Sequence, residues 1–215
     1  DLRLRFLAVG GEAMNSTPRR SLPFRLYNMY GPTETAVWAT LTPLDPTSTR
    51  LPTIGRPIDN LRTYILDPNR NPVPIGIPGE LCIAGAGLAR GYLNDPEQTA
   101  RKFIANPFSN RAGERLYLTG DLARYRPDGQ IEFLGRIDHQ VKIRGYRIDL
   151  GEIETALQSH PCIHDAVVVL NHGAGGDVRL GAYVIPQTGS QVEARELRAY
   201  LQSRIPEYML PATYR

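Results

Sequence analysis

Lysine is nearly absent from this chain. Of its 25 basic residues only Lys102 and Lys142 are lysines, so amine chemistry has two candidates within these 215 residues. Cysteine is as scarce. Cys82 and Cys162 lie far apart and lack the spacing of metal ligands, which predicts two small buried hydrophobes in strands and a reducing, cytoplasmic setting. No stretch approaches the ~18 consecutive apolar residues of a membrane span, and no basic start with an apolar centre marks a leader. Both absences argue against a membrane role, and without a secretion signal the triplet Asn15-Ser16-Thr17 reads as a chance glycosylation match. Basic runs are missing too. Residues 1–137 carry 17 basic and 13 acidic side chains, residues 138–215 carry 8 and 9, and the net charge of +3 is scattered. That distribution excludes the basic patch of a nucleic-acid binder. There is no G-x-x-x-x-G-K-[ST] phosphate loop. The stretch GAGLARG (85–91) places Arg90 where a dinucleotide fingerprint requires Gly or Ala. His139, His160, His164 and His172 show neither ligand spacing nor a neighbouring nucleophile pattern, so surface or structural roles are expected.

What remains is an ordinary globular composition, 41% hydrophobic and 22% charged, over a length that suits one or two domains. LRFLAVGGE reads as a buried strand ending in a glycine turn. Proline and turn residues dominate 43–79, with short apolar runs such as RTYIL between them, the pattern of a small β-rich layer. ELCIAG continues that layer, and DPEQTARKF predicts a short helix opened by Asp95 with Pro96 at its first position. From 138 onward the reading is β-β-α-β-β-α. GQIEFLG and QVKIRGYRI are short strands. Asp149 with Glu152 resembles a capping box, and Leu150, Ile153 and Leu157 share a helical face that Pro161 ends. DAVVVL and RLGAYVI are buried strands separated by HGAGGD, and Val192, Leu197, Leu201 and Ile205 space a second amphipathic helix. The expected fold class is mixed α/β, with residues 1–137 as one domain and 138–215 as a smaller one.

Three stretches carry candidate chemistry. In YNMYGPTET (27–35), Tyr30 can stack on a flat base, Thr33 can hydrogen-bond a phosphate oxygen, and Glu34 can hold a magnesium ion, which needs few protein carboxylates beside phosphate oxygens. In YLTGDLARYRPDGQIEFLGRID (117–138), Asp121 on a glycine turn can accept from both hydroxyls of a ribose, and Arg136 can donate to the same sugar. Asp128-Gly129 is assigned a hairpin turn only. The third stretch, GRIDHQVKIRGYRIDLGEIE (135–154), is dense in glycine and opposite charges at the change of domain.

Together NMYGPTE, GELCIAGAGLARGYLNDPEQTARKF, YLTGDLARYRPDGQIEFLGRIDHQVKIRGYRIDLGEIE and IPEYMLPATY resemble the adenylation domains of nonribosomal peptide synthetases, within the adenylate-forming superfamily. The resemblance runs over essentially the whole chain. It implies the end of a large adenylate-forming core followed by a small lid, and a reaction in which an amino-acid carboxylate attacks the α-phosphorus of ATP and releases pyrophosphate. By the family pattern Tyr30 stacks on adenine, Thr33 contacts phosphate, Glu34 binds Mg²⁺, and Asp121 and Arg136 hold the ribose, with Phe133 beside the nucleotide. Ala8, Gly10, Met29, Val37 and Trp38 would line the amino-acid pocket, an uncharged subset that leans towards a neutral, fairly large substrate. Asp138 matches the hinge. Lys142 lies in the VKIRGYR segment, on the lid face implied to serve transfer to the phosphopantetheine thiol of a carrier protein. Neighbouring synthetase domains and a small MbtH-like activator are further implied partners. Leu118 stands where a basic residue usually precedes TGD.

Two of the family's parts are missing from these residues: the Gly/Ser/Thr-rich phosphate loop and the C-terminal motif with the catalytic lysine. Neither Lys102 nor Lys142 occupies the latter position. The expectation is therefore that these 215 residues alone do not catalyse adenylation. Two alternatives stay open, an acyl- or aryl-acid ligase of the same superfamily and a non-catalytic piece that binds nucleotide or a partner.

Overall fold

The computed structural model describes residues 3–14, 16–17, 22–138, 140–143, 145–172 and 178–215, the last-but-one segment without the His172 side chain. Asn15 of the glycosylation triplet, His139 and most of HGAGGD lie outside the described residues. The chain forms two compact units, Asp1–Asp138 and His139–Arg215. The architecture is mixed α/β. No helix among the described residues is long and apolar enough to cross a membrane.

The first unit holds two sheets. In one, β1 (Phe6–Val9) runs parallel to β2 (Arg25–Tyr30), which pairs antiparallel with β3 (Thr40–Pro43), followed by β4 (Arg56–Pro57). The other contains β5 (Leu61–Leu66), β6 (Gly79–Gly85), β7 (Phe103–Ala105), β8 (Arg115–Tyr125) and β9 (Ile131–Arg136), ordered β5-β6-β8-β7 with β9 on β8. Ahead of β7, helix α1 (Pro96–Lys102) starts as the sequence predicts. The Asp95 carboxylate accepts from the Gln98 N–H at 2.8 Å, and Pro96 sits where no backbone donor is needed. No helix follows GAGLARG directly, so that segment lacks the helix N-terminus a dinucleotide site requires. The two sheets are tied at Gly55, where Ile131 N–H donates to Gly55 O at 2.8 Å and Ile54 N–H to Ile131 O at 2.9 Å. Gly55 has φ +85°, and a Cβ there would stand 2.0 Å from Leu41 O, so no other residue fits. Tyr30, Ile54, Leu61, Ile65, Leu81 and Ile131 build the core between them.

The second unit keeps the expected element types but corrects two assignments: GQIEFLG forms β9 of the first unit, paired with β8, and QVKIRGYRI divides into two strands, with one further strand added at the end. β10 (Gln140–Ile143) and β11 (Tyr146–Asp149) form a hairpin, α2 (Leu150–Gln158) follows, and β12 (Ile163–His172) pairs with β13 (Val178–Pro186) ahead of α3 (Ala194–Gln202). Asp149 caps α2 by accepting from Gly151 N–H at 3.0 Å. Leu150, Ile153 and Leu157 are buried on one face of that helix, and with Ile148, Leu197 and Leu201 they form the unit's core. The addition is β14 (Thr213–Tyr214), which pairs parallel with β13. Two residues carry no periodic signal, so this strand exists only through its tertiary partner.

The cysteine expectation holds for Cys82, fully buried in β6, whose thiol is pushed up by burial. Cys162 instead lies just before β12 and is half-buried; both thiols are free. His160 is buried at the end of α2. Its Nδ1 accepts from Cys162 N–H at 3.2 Å, and its ring meets Tyr200 edge-on at 4.6 Å, a structural role.

Candidate active site

The turn at the end of β2 is built by backbone constraints. Pro32 is extended, Thr33–Thr35 make one turn of 3-10 helix, and Ala36 closes it in the left-handed region at φ +57°. Ala39 N–H donates to Tyr30 O at 2.8 Å, which cinches the loop. A Cβ on Gly31 would fall 2.2 Å from Val37 O, so only glycine permits that closure. Val37 has φ +80°, a sparsely populated conformation for a β-branched residue that costs on the order of 1–3 kcal/mol and tends to occur at functional sites. The outcome is an exposed Thr33, a buried Glu34, and exposed Val37 and Trp38.

The β8–β9 register sets Asp121 opposite Arg136, bringing together the two residues proposed from sequence for one sugar. Arg136 Nη1 donates to Asp121 Oδ1 at 2.6 Å. Its Nε and Nη2 grip both oxygens of Asp138, each at 2.6 Å, and Nη2 also reaches Thr119 O at 3.2 Å. The Asp121 carboxylate is almost fully buried, and its second oxygen accepts from the Tyr30 hydroxyl. Burial, then the Asp121 charge, push the Tyr30 phenol well above its ordinary range, so it stays a proton donor. Tyr30 itself is a core residue, 7% exposed, with the half-buried Phe133 ring 6.3 Å away. What it turns to the cluster is therefore its hydroxyl. Each carboxylate oxygen has two lone pairs, so a buried Asp121 holding one donor on each oxygen retains acceptor capacity.

Glu34 is 8% exposed at the centre of the turn. Tyr92, from the loop after β6, donates its hydroxyl to Glu34 Oε1 at 2.6 Å, and Ala89 N–H binds Glu34 O at 2.8 Å. No group of three or more potential metal-ligating side chains occurs among the described residues. A single hard carboxylate fits Mg²⁺ shared with substrate phosphates and water, and does not fit an all-protein metal cage.

The five residues proposed for the amino-acid pocket fall in two places. Ala8 and Gly10 stand on and after β1, and Met29 stands on the neighbouring β2, where a Cβ on Gly10 would fall 2.4 Å from Met29 O. Val37 and Trp38 line an open cleft of about 520 Å³ with Thr35, Ile58, Asn60 and Gly87. Asp138 ends the first unit, held by Arg136. Lys142 is exposed on β10 of the second unit, opposite Arg147 in the hairpin register.

The profile of the AMP-binding enzyme family matches residues 1–93, and that of the AMP-binding enzyme C-terminal domain matches residues 152–215. The chain belongs to the AMP-binding enzyme family. Over its whole length it is 51% identical to a linear gramicidin synthase of Brevibacillus parabrevis, of which it spans only 3%. Among solved structures it superimposes on the Vibrio cholerae adenylation domain AlmE, in complex with glycyl-adenosine-5'-phosphate. That match has a TM-score of 0.80 and 27% identity over 99% of this chain and 41% of that one. It also matches NpsA-ThdA, an artificially fused adenylation–PCP di-domain from Klebsiella oxytoca, with a TM-score of 0.75 and 28% identity over 98% of this chain and 40% of that one. The fold is thus that of the C-terminal portion of an adenylate-forming enzyme, and the 215 residues correspond to part of a nonribosomal peptide synthetase adenylation domain. Sequence reasoning passed over Tyr92 and the cleft residues Ile58, Asn60 and Gly87. Gly87 and Tyr92 stand inside the stretch GELCIAGAGLARGYLNDPEQTARKF, but the residues they meet lie tens of positions away, so the local pattern did not show those contacts.

Proposed function

We propose that this chain supplies the nucleotide-binding turn, part of the amino-acid pocket and a lid unit to an adenylation domain that activates an amino acid with ATP. The observation that carries the reading is the buried Tyr30–Asp121–Arg136 cluster beside β9. It sets a carboxylate with spare acceptor capacity next to a guanidinium, the pair of groups a ribose needs. In this reading Asp121 accepts from ribose hydroxyls, Arg136 donates to the sugar, and Tyr30 and Phe133 flank the adenosine. Thr33, exposed on the turn, donates its hydroxyl to a phosphate oxygen. Glu34 would hold Mg²⁺, which when bound neutralises phosphate charge. Ala8, Gly10, Met29, Val37 and Trp38 bind a neutral side chain and so orient the substrate carboxylate. The carboxylate oxygen attacks the α-phosphorus in line, the bond to the bridging oxygen of pyrophosphate breaks, and the aminoacyl-adenylate forms. Positioning and charge neutralisation dominate such transfers.

The second half-reaction passes the aminoacyl group to the phosphopantetheine thiol of a carrier domain. The thiol sulfur attacks the carbonyl and AMP leaves. Similarity to an adenylation–PCP di-domain supports this step, with Asp138 as the hinge and Lys142 on the face that the lid presents. The test is amino-acid-dependent ATP–pyrophosphate exchange by the full-length protein carrying this chain, panelled over the proteinogenic amino acids. Exchange with one or a few of them that falls steeply on Asp121→Ala is expected. Exchange driven by aryl or fatty acids instead, or exchange unchanged in Asp121→Ala, would overturn the assignment.

A further inference from the structure

The contact between Glu34 and Tyr92 joins residues 58 positions apart, and both ends of it are fixed. Glu34 is buried on a 3-10 turn closed by Thr35 N–H to Pro32 O at 3.0 Å and Ala36 N–H to Thr33 O at 3.2 Å. Tyr92 is half-buried; its ring meets Phe103 edge-on at 5.7 Å, and its backbone N–H donates to Thr99 Oγ1 at 2.8 Å. Thr99 Oγ1 in turn donates to Asp95 O at 2.7 Å, so the tyrosine is anchored on the first turn of α1. The Ala89 N–H bond to Glu34 O adds a second strut from the same loop. A glutamate side chain with three rotatable bonds is thereby held in one orientation by a phenol that is itself immobilised.

We propose that Tyr92 is a positioning residue for Glu34, fixing the carboxylate that takes up the divalent cation. This rests on the reading of Glu34 as the magnesium-binding carboxylate. The chemistry follows from the hydrogen bond. A donor to one oxygen fills one of roughly four acceptor sites of a carboxylate, so this hydrogen bond does not itself exclude a cation. It also prevents the side chain from sampling orientations that do not bind. Groups that orient metal-binding carboxylates in this way typically contribute 10–100-fold in metal affinity. With a single protein carboxylate assigned to the cation, orientation has no second ligand to compensate for its loss.

Tyr92→Phe removes the hydroxyl and keeps the ring packed on Phe103. The measurement is Mn²⁺ binding to the full-length protein saturated with α,β-methylene-ATP, followed by the free-Mn²⁺ electron paramagnetic resonance signal. Affinity for the same nucleotide without divalent metal is measured in parallel. Tyr92→Phe is expected to raise the Mn²⁺ dissociation constant about tenfold while leaving metal-free nucleotide affinity unchanged. Glu34→Gln, which keeps the shape and removes the charge, should raise it further. If Glu34→Gln weakens Mn²⁺ binding and Tyr92→Phe does not, the tyrosine is only a strut for its loop and the inference fails alone. If neither variant moves Mn²⁺ binding, the assignment of Glu34 fails with it. Equal losses in Mn²⁺ and metal-free nucleotide affinity in Tyr92→Phe would point to a general loosening of the turn and would also overturn it.

Discussion

Asp121 offers the most searching test of the nucleotide cluster, because its environment fixes what its removal costs. The side chain is buried, with the Tyr30 hydroxyl on one oxygen and Arg136 Nη1 at 2.6 Å on the other. Breaking a buried ion pair by deleting one partner costs about 3–5 kcal/mol when the survivor is stranded. Arg136 would not be stranded, because Asp138 holds its Nε and Nη2 at 2.6 Å each. The Tyr30 hydroxyl does lose its acceptor, at about 1–3 kcal/mol. Asp121→Ala should therefore destabilise the first unit by about 3 kcal/mol, and Tyr30→Phe by about 1 kcal/mol, since that change leaves the Arg136 bond intact. The double variant should cost about 1 kcal/mol less than the sum, as the shared bond is lost once. Urea denaturation followed by tryptophan fluorescence is a suitable assay. Trp38 is the sole tryptophan and lies in this unit. Strict additivity, or an Asp121→Ala cost below about 1 kcal/mol, would refute the view that a single buried network joins β2, β8 and β9.

Other consequences follow from single features. Because the folded Tyr30 phenol is raised above its ordinary value of 10.0, the folded state holds a proton that the unfolded chain gives up. Stability should hold below that pH and fall above it, by up to about 1.4 kcal/mol per pH unit. Tyr30→Phe should show a shallower alkaline decline in pH-dependent denaturation; an identical slope would remove Tyr30 as the cause. Gly55→Ala should cost about 2 kcal/mol or more from the steric conflict with Leu41 O and the positive φ, and a neutral result by thermal melting would contradict the strand link. Ile153→Ala, in the fully buried core of the second unit, should cost about 2–5 kcal/mol. Hydrogen exchange should place that loss in residues 145–215 and leave the first unit protected. A loss spread evenly over both units would show that they do not unfold separately.

Local signals in this chain were strong where one segment satisfies its own physics. Asp95-Pro96 sets the start of α1, Asp149 caps α2, the spacing of Leu150, Ile153 and Leu157 fixes its buried face, and Asp128-Gly129 makes the β8–β9 turn. The motifs around YNMYGPTET and YLTGD were enough to bring out the family, which the profile matches bear out. Sequence was silent where a residue's role depends on a partner far along the chain. β14 has no periodicity of its own, Cys162 falls outside the strand expected to bury it, and Tyr92 looks like an ordinary loop aromatic until it reaches Glu34.

Sequence by itself determined the element types, the family and the kinds of group available: a carboxylate and a guanidinium fifteen residues apart, a hydroxyl and a carboxylate on one glycine–proline turn. These depend on side-chain chemistry and on contacts within a few residues, which a linear pattern records. Only the tertiary structure decided how those groups are spent. The β8–β9 register sets Arg136 on Asp121, Asp138 takes the other side of the guanidinium, and the packing of β2 into the core turns the Tyr30 hydroxyl towards Asp121. Such pairings arise when strands distant in sequence bury their apolar faces together, so the polar groups they carry meet as a consequence of packing and leave no trace in the local sequence.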